Sequence, residues 1–202
     1  PHQPVWKDMP RYTTYLARVQ QLLRQGSSQI DILVYTTGHN ASENKRHPIG
    51  EELTKRGYTY QIATEGLLRY PQLVKNGRLQ VKGASYSALY IDEGIKLPTD
   101  VSEVVSDLQV AGLPILSSLS QVMAKLGQST LASSDGSLLH YHRLVDSQDY
   151  FFVYNQGTKP LDLSDFLSNA TYEEWNAWTG EILQTNRPIL DVAELRILKK
   201  VS

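Results

Sequence analysis

The chain has 202 residues, 41% of them hydrophobic, and its 20 basic and 21 acidic side chains leave a formal net charge of -1. That length and apolar content suffice for one large domain or one domain with an appendage, while the balanced charge gives no electrostatic reason to expect nucleic acid or an anionic membrane as partner. With no cysteine, disulfides, a thiol nucleophile and thiolate metal sites are excluded within these residues; no apolar run approaches the roughly 20 residues of a spanning helix, and no signal-peptide pattern opens the chain.

Tyr15, Leu16, Val19, Leu22 and Leu23 recur at helical spacing, with Arg18, Gln21, Arg24 and Gln25 largely off that face, so the sequence predicts an amphipathic helix closed by Gly26. Ile30 to Tyr35 then reads as a short strand buried on both faces. Pro48 opens a helix that ends before Gly57, Tyr58 to Ala63 is the next strand, and Leu67 to Val74 reads as a short helix disturbed by Pro71. Asn76-Gly77 marks a hairpin turn before Arg78 to Val81. A strand over Tyr86 to Asp92, a helix over Pro98 to Ala111, a short strand over Leu113 to Leu116 and a helix over Ser118 to Leu126 complete an alternating order. That alternation predicts a doubly wound α/β layer structure with a mainly parallel sheet over residues 1–131. From 132 to 202 the helical period fades. Leu138 to Val145, Tyr150 to Tyr154 and Pro160 to Phe166 read as strands of a smaller antiparallel, sandwich-like region.

Several groups could carry chemistry. The loop Thr36-Thr37-Gly38-His39-Asn40-Ala41-Ser42 follows the first strand, where doubly wound proteins bind phosphate, but the next helix begins only near Pro48; flavin mononucleotide binding is the reading this loop offers and a surface loop the ordinary one. Asp92 and Glu93 leave a strand at its carboxyl end, a place for a catalytic carboxylate, although glycoside hydrolysis needs a second one across the bond. His140 and His142 alternate on a strand and share one face, short of the ligand number that zinc needs; no metal site is expected. Trp175 and Trp178 could offer flat apolar faces to sugar rings, with burial in a core as the competing account. Asn40 and Asn169 head glycosylation sequons, which favours a secreted, extracellular glycoprotein. Motifs of serine hydrolases, zinc peptidases and P-loop enzymes are absent.

Taken in order, a set of segments resembles the region beyond the catalytic barrel of family 106 glycoside hydrolases, the α-L-rhamnosidases. They are Gln3-Pro4-Val5-Trp6, Tyr15 to Gly26, Asp31 to Tyr35, Gly57-Tyr58, Asn76 to Leu79, Tyr86 to Tyr90, His142-Arg143, Asp149 to Asn155, and Trp175 to Glu181. The resemblance implies a flavodoxin-like accessory domain leading into β-sandwich structure, with catalytic carboxylates and calcium in a barrel outside this chain. On that reading the chain is a non-catalytic C-terminal portion of a secreted hydrolase of plant or microbial polysaccharide. Its partners are the barrel of its own polypeptide and carbohydrate, and it needs no cofactor. The alternatives are a self-standing carbohydrate-binding module built on Trp175 and Trp178, and a flavodoxin-like protein that binds flavin mononucleotide.

Overall fold

The computed structural model describes residues 4–36, 48–69, 73–184 and 187–201. In chain order come a 3-10 turn (Pro4–Lys7), α1 (Met9–Leu23), β1 (Ser27–Tyr35), α2 (Pro48–Lys55), β2 (Tyr60–Ala63), α3 (Glu65–Leu68), β3 (Leu73–Lys75), β4 (Arg78–Val81), β5 (Ala84–Ile91), α4 (Thr99–Val110), β6 (Ile115–Leu116) and α5 (Leu119–Leu126). Then follow β7 (Leu138–Val145), β8 (Gln148–Asn155), β9 (Leu161–Asp162), α6 (Ser164–Leu167), β10 (Tyr172–Trp175), β11 (Ile182–Gln184), β12 (Ile189–Leu190) and β13 (Leu195–Lys200). The chain divides into two compact units, Ser28–Tyr141, and Pro1–Ser27 together with His142–Ser202.

In the unit Ser28–Tyr141, β1 pairs in parallel with β2 and with β5, and β5 in parallel with β6. Alternation along β1 splits its apolar side chains between two cores. Leu33 and Tyr35 join Leu89 and the α4 residues Val101, Val105 and Leu108, whereas Ile32 and Val34 join Ala88, Leu53 of α2 and Val122 of α5. Ser118 caps α5 by accepting from the Gln121 amide. Between β2 and β5 the chain inserts a hairpin whose turn residues Asn76 and Gly77 both have positive φ, at 53° and 70°. This is the geometry that two-residue hairpin turns require, and it runs β3 and β4 antiparallel to their neighbours.

These pairings overturn the expected flavodoxin-like, doubly wound, mainly parallel sheet. The parallel pairings involve β1, β2, β5 and the two-residue β6, whereas β3, β4 and β5 pair antiparallel in sequence, as do β8, β13, β10 and β11, and β9 with β12. The sheet structure is mixed and mostly antiparallel. The physical cause lies in the connections: a hairpin at Asn76-Gly77 replaces a crossover, and α4 leads to a strand too short to extend the parallel ladder. Two local readings change with it. The helix expected over Leu67 to Val74 is confined to Glu65–Leu68, and Val74 lies on β3; the strand expected over Pro160 to Phe166 is the short β9 followed by α6.

The second unit is built on an antiparallel ladder in which β13 lies between β8 and β10, and β10 continues to β11. A tight turn at Asp146 and Ser147, both at positive φ, leads into β8. The register sets two faces. Tyr150 opposes Lys199, which opposes Glu173, and Phe152 opposes Ile197, which opposes Trp175, so these residues share one face. On the other face Phe151 meets Phe166 of α6 and Tyr172 edge-on, and those two rings tilt against each other, with centroids 4.8–6.1 Å apart.

Candidate functional site

A groove of about 580 Å³ lies on the Tyr150 and Trp175 face of the ladder in the second unit. Three elements build it: α1, the β7–β8 turn and the loop between β10 and β11. From α1 come Arg18, Gln21 and Leu22, joined by Gln25 just past its end, and of these only Leu22 is buried. Tyr15, Arg18, Val19 and Leu22 follow the spacing i, i+3, i+4, i+7 and are half-buried or buried, so the inward stripe of this helix carries an arginine among apolar residues. The sequence pattern put Arg18 off that face and Leu23 on it; Leu23 is exposed.

Arg18 has a defined task. Its Nη1 donates to the carbonyls of Ala177 (3.1 Å) and Trp178 (2.7 Å), clamping the β10–β11 loop onto the helix. The loop also closes on itself. The Asn176 side-chain oxygen accepts from the amides of Trp178 (2.9 Å) and Thr179 (3.2 Å), and the Gly180 amide donates to the Asn176 carbonyl (2.7 Å). Gly180 stands at φ +81°, and a Cβ there would come within 2.9 Å of the Arg18 guanidinium, so loop shape and clamp both require glycine. At the end of α1, the buried Arg143 donates to the carbonyls of Gln25 and Gly26, which satisfies acceptors that a helix terminus leaves open.

The two tryptophans play different parts. Trp175 is half-buried on β10, meets Tyr150 edge-on at 5.8 Å, and keeps a buried indole N–H that no acceptor among the described residues satisfies. An unsatisfied buried donor costs about 1–3 kcal/mol. Trp178 is 46% exposed, but Tyr15 stacks on it at 4.2 Å and the Arg11 guanidinium lies 5.4 Å over its ring. With Asp8, Tyr12 and Thr179 it borders a second, more open hollow of about 560 Å³ that shares Asn176 with the first.

Under the other face of the ladder lies a network of charges. Arg196, 1% exposed, donates to the carbonyls of Arg187 and Ile189 (2.7 Å each) and pairs with Glu194, while Glu174 pairs with Arg187 and Arg196. Burial pushes the Glu194 carboxyl upward, but the Asp191 amide and Arg196 outweigh it and hold the group below its ordinary value. These pairings fix β13 against β10 and present nothing to the groove.

The remaining residues singled out in the sequence are not among those that line it. Asp92 and Glu93 follow β5 in the other unit; burial, then a hydrogen bond to Asp92 and the nearby Glu93 charge, push the Tyr90 hydroxyl up to about 12. Asp92 is thereby engaged by Tyr90, and Glu93 is exposed. His140 bonds the Gly57 carbonyl (2.9 Å), and His142 pairs with Asp149 (2.7 Å) and stacks on Phe151, so the two imidazoles have separate partners. Among the described residues no group of three or more His, Asp or Glu could hold a metal, and no helix is long and apolar enough to cross a membrane. Asn169 is exposed just past α6, its side chain donating to the Asp165 carbonyl (2.7 Å). His39, Asn40, His47, Pro71 and the 37–42 part of the loop after β1 lie outside the described residues. The sequence reading missed Arg18, Gln21, Asp146, Gln148 and Glu181; the one signal for them was the pairing of a helix of known phase with the Trp-Asn-Ala-Trp-Thr-Gly loop.

The fold is one found within larger enzyme chains. It is similar to a rhamnosidase from Novosphingobium sp. PP1Y, with a TM-score of 0.62 at 13% sequence identity over 94% of this chain and 24% of that one. In sequence it is 24% identical over 164 residues to a protein of Formosa agariphila provisionally assigned as a β-glucuronidase, a match that takes in 80% of this chain. The chain spans 13% of that relative's length. No family model matches the chain. Both likenesses point to a glycoside-hydrolase-related region.

Proposed function

We propose that this chain is a non-catalytic portion of a larger, secreted glycoside hydrolase, related to the α-L-rhamnosidases of family 106, whose catalytic barrel lies elsewhere in the same polypeptide. The observation that carries the reading is the likeness of nearly the whole chain to about a quarter of a rhamnosidase. Calcium and the acid and base residues belong with the barrel in this reading, and the 202-residue portion supports the barrel and borders its substrate.

The test is hydrolysis of a panel of aryl glycosides, including the α-L-rhamnoside and the β-glucuronide, by the 202-residue chain alone. The expected result is background turnover. Turnover well above background that disappears in Glu181→Gln or Asp146→Asn would refute the non-catalytic role, since those carboxylates line the groove.

A further inference from the structure

Building on the glycoside-hydrolase reading, we propose that the groove between α1 and the β10–β11 loop is a binding subsite for a neutral, hydroxyl-rich saccharide, with the Trp175 ring as part of its aromatic wall. Its volume of about 580 Å³ falls within the range of small-molecule sites. Aromatic surface from Tyr150 and Trp175 suits the apolar face of a sugar ring, and three amide side chains, Gln21, Gln25 and Gln148, offer both donors and acceptors to hydroxyls.

Charge decides between a neutral sugar and a uronate. Two cations, Arg18 and Lys199, and two carboxylates, Asp146 and Glu181, line the groove. Both cations are already engaged: Arg18 on the carbonyls of Ala177 and Trp178, and Lys199 on Glu173 at 3.4 Å. A ligand carboxylate would meet no uncommitted positive charge and would face two negative ones. The balance of like and unlike groups suits hydroxyls, which exchange hydrogen bonds with the glutamine amides and donate to Asp146 and Glu181. Trp178, which motif reading pairs with Trp175, serves the loop instead, stacked on Tyr15 and covered by Arg11.

The experiment is a titration of the isotope-labelled 202-residue chain with L-rhamnose, D-galactose, D-glucose and D-glucuronate, read on the indole N–H resonances; the Trp175→Phe spectrum assigns the Trp175 signal among the three tryptophans. A saturable shift of the Trp175 resonance with a neutral sugar, weaker with glucuronate, is the expected result. Trp175→Phe shrinks the aromatic wall and should weaken binding severalfold; Gln21→Ala, at an exposed position, should weaken it severalfold without changing the melting curve. An unmoved Trp175 resonance across all three neutral sugars, tighter binding of glucuronate, or unchanged affinity in Trp175→Phe overturns the proposal. Because the readout is binding, its failure is separate from the hydrolysis result that tests the non-catalytic role.

Discussion

Replacing Arg18 with Met removes the clamp on the β10–β11 loop while keeping most of the side chain's length. The wild-type guanidinium makes two charge-assisted hydrogen bonds, to the Ala177 carbonyl in a part-buried setting and to the Trp178 carbonyl in an exposed one. Charge-assisted bonds contribute about 1.5–3 kcal/mol each where water is excluded. The exposed one is screened, so most of the effect comes from the Ala177 bond, and the expected loss is about 2 kcal/mol. The Tyr15–Trp178 stack, at 4.2 Å, should loosen along with the loop. Urea denaturation followed by tryptophan fluorescence gives the first quantity, and the near-ultraviolet circular dichroism of the folded variant gives the second. A loss below about 0.5 kcal/mol with an unchanged aromatic spectrum would show that the loop holds its shape without the arginine, and the account of the groove wall would be wrong.

Three further outcomes follow from the same structure. Gly26 has φ +62°, and a Cβ there would overlap the Leu144 carbonyl, so Gly26→Ala should cost about 3 kcal/mol or more by thermal denaturation; a neutral substitution would contradict the placement of that carbonyl. In the other unit Gly57 stands at φ +72°, and a methyl group added to it would lie 2.5 Å from the Leu131 carbonyl oxygen, so Gly57→Ala should respond in the same way; Gly94, with open space around it, should lose only the left-handed backbone preference of about 1 kcal/mol. Burial pushes the Tyr90 and Tyr172 hydroxyls up to about 12 from 10.0, helped by Asp92 at the first and Asp149 at the second. A raised folded-state value means that this stability is fully present below pH 10 and is lost as pH rises through 12. Ultraviolet titration should therefore show a late phenolate step coincident with unfolding, and a single ionisation centred on about pH 10 in folded protein would contradict it.

Local elements were legible where local chemistry decides them. Asn76-Gly77 carries its own turn, Thr99–Val110 shows its apolar stripe, and β1 ends in a short stretch rich in β-branched and other apolar residues, with Ile30, Ile32 and Val34. The sheet's character was not legible, because strand direction depends on partners remote in sequence; the same alternation of strands and helices was compatible with parallel pairing throughout. The site was half legible. The aromatic loop around Trp175 stood out by composition, but its partner Arg18 lies 160 residues away from Trp178, and nothing local in either segment announces that contact. The separate tasks of Trp175 and Trp178 likewise come from what stacks on each ring, which residue type cannot convey.

The central claim, that this chain is part of a larger glycoside hydrolase, is tested most directly by reading the coding sequence on the 5′ side of the Pro1 codon. The expected result is an open reading frame continuing upstream for the length of a catalytic barrel, carrying paired acidic residues at strand ends. An initiator methionine codon a few residues before Pro1 would contradict it.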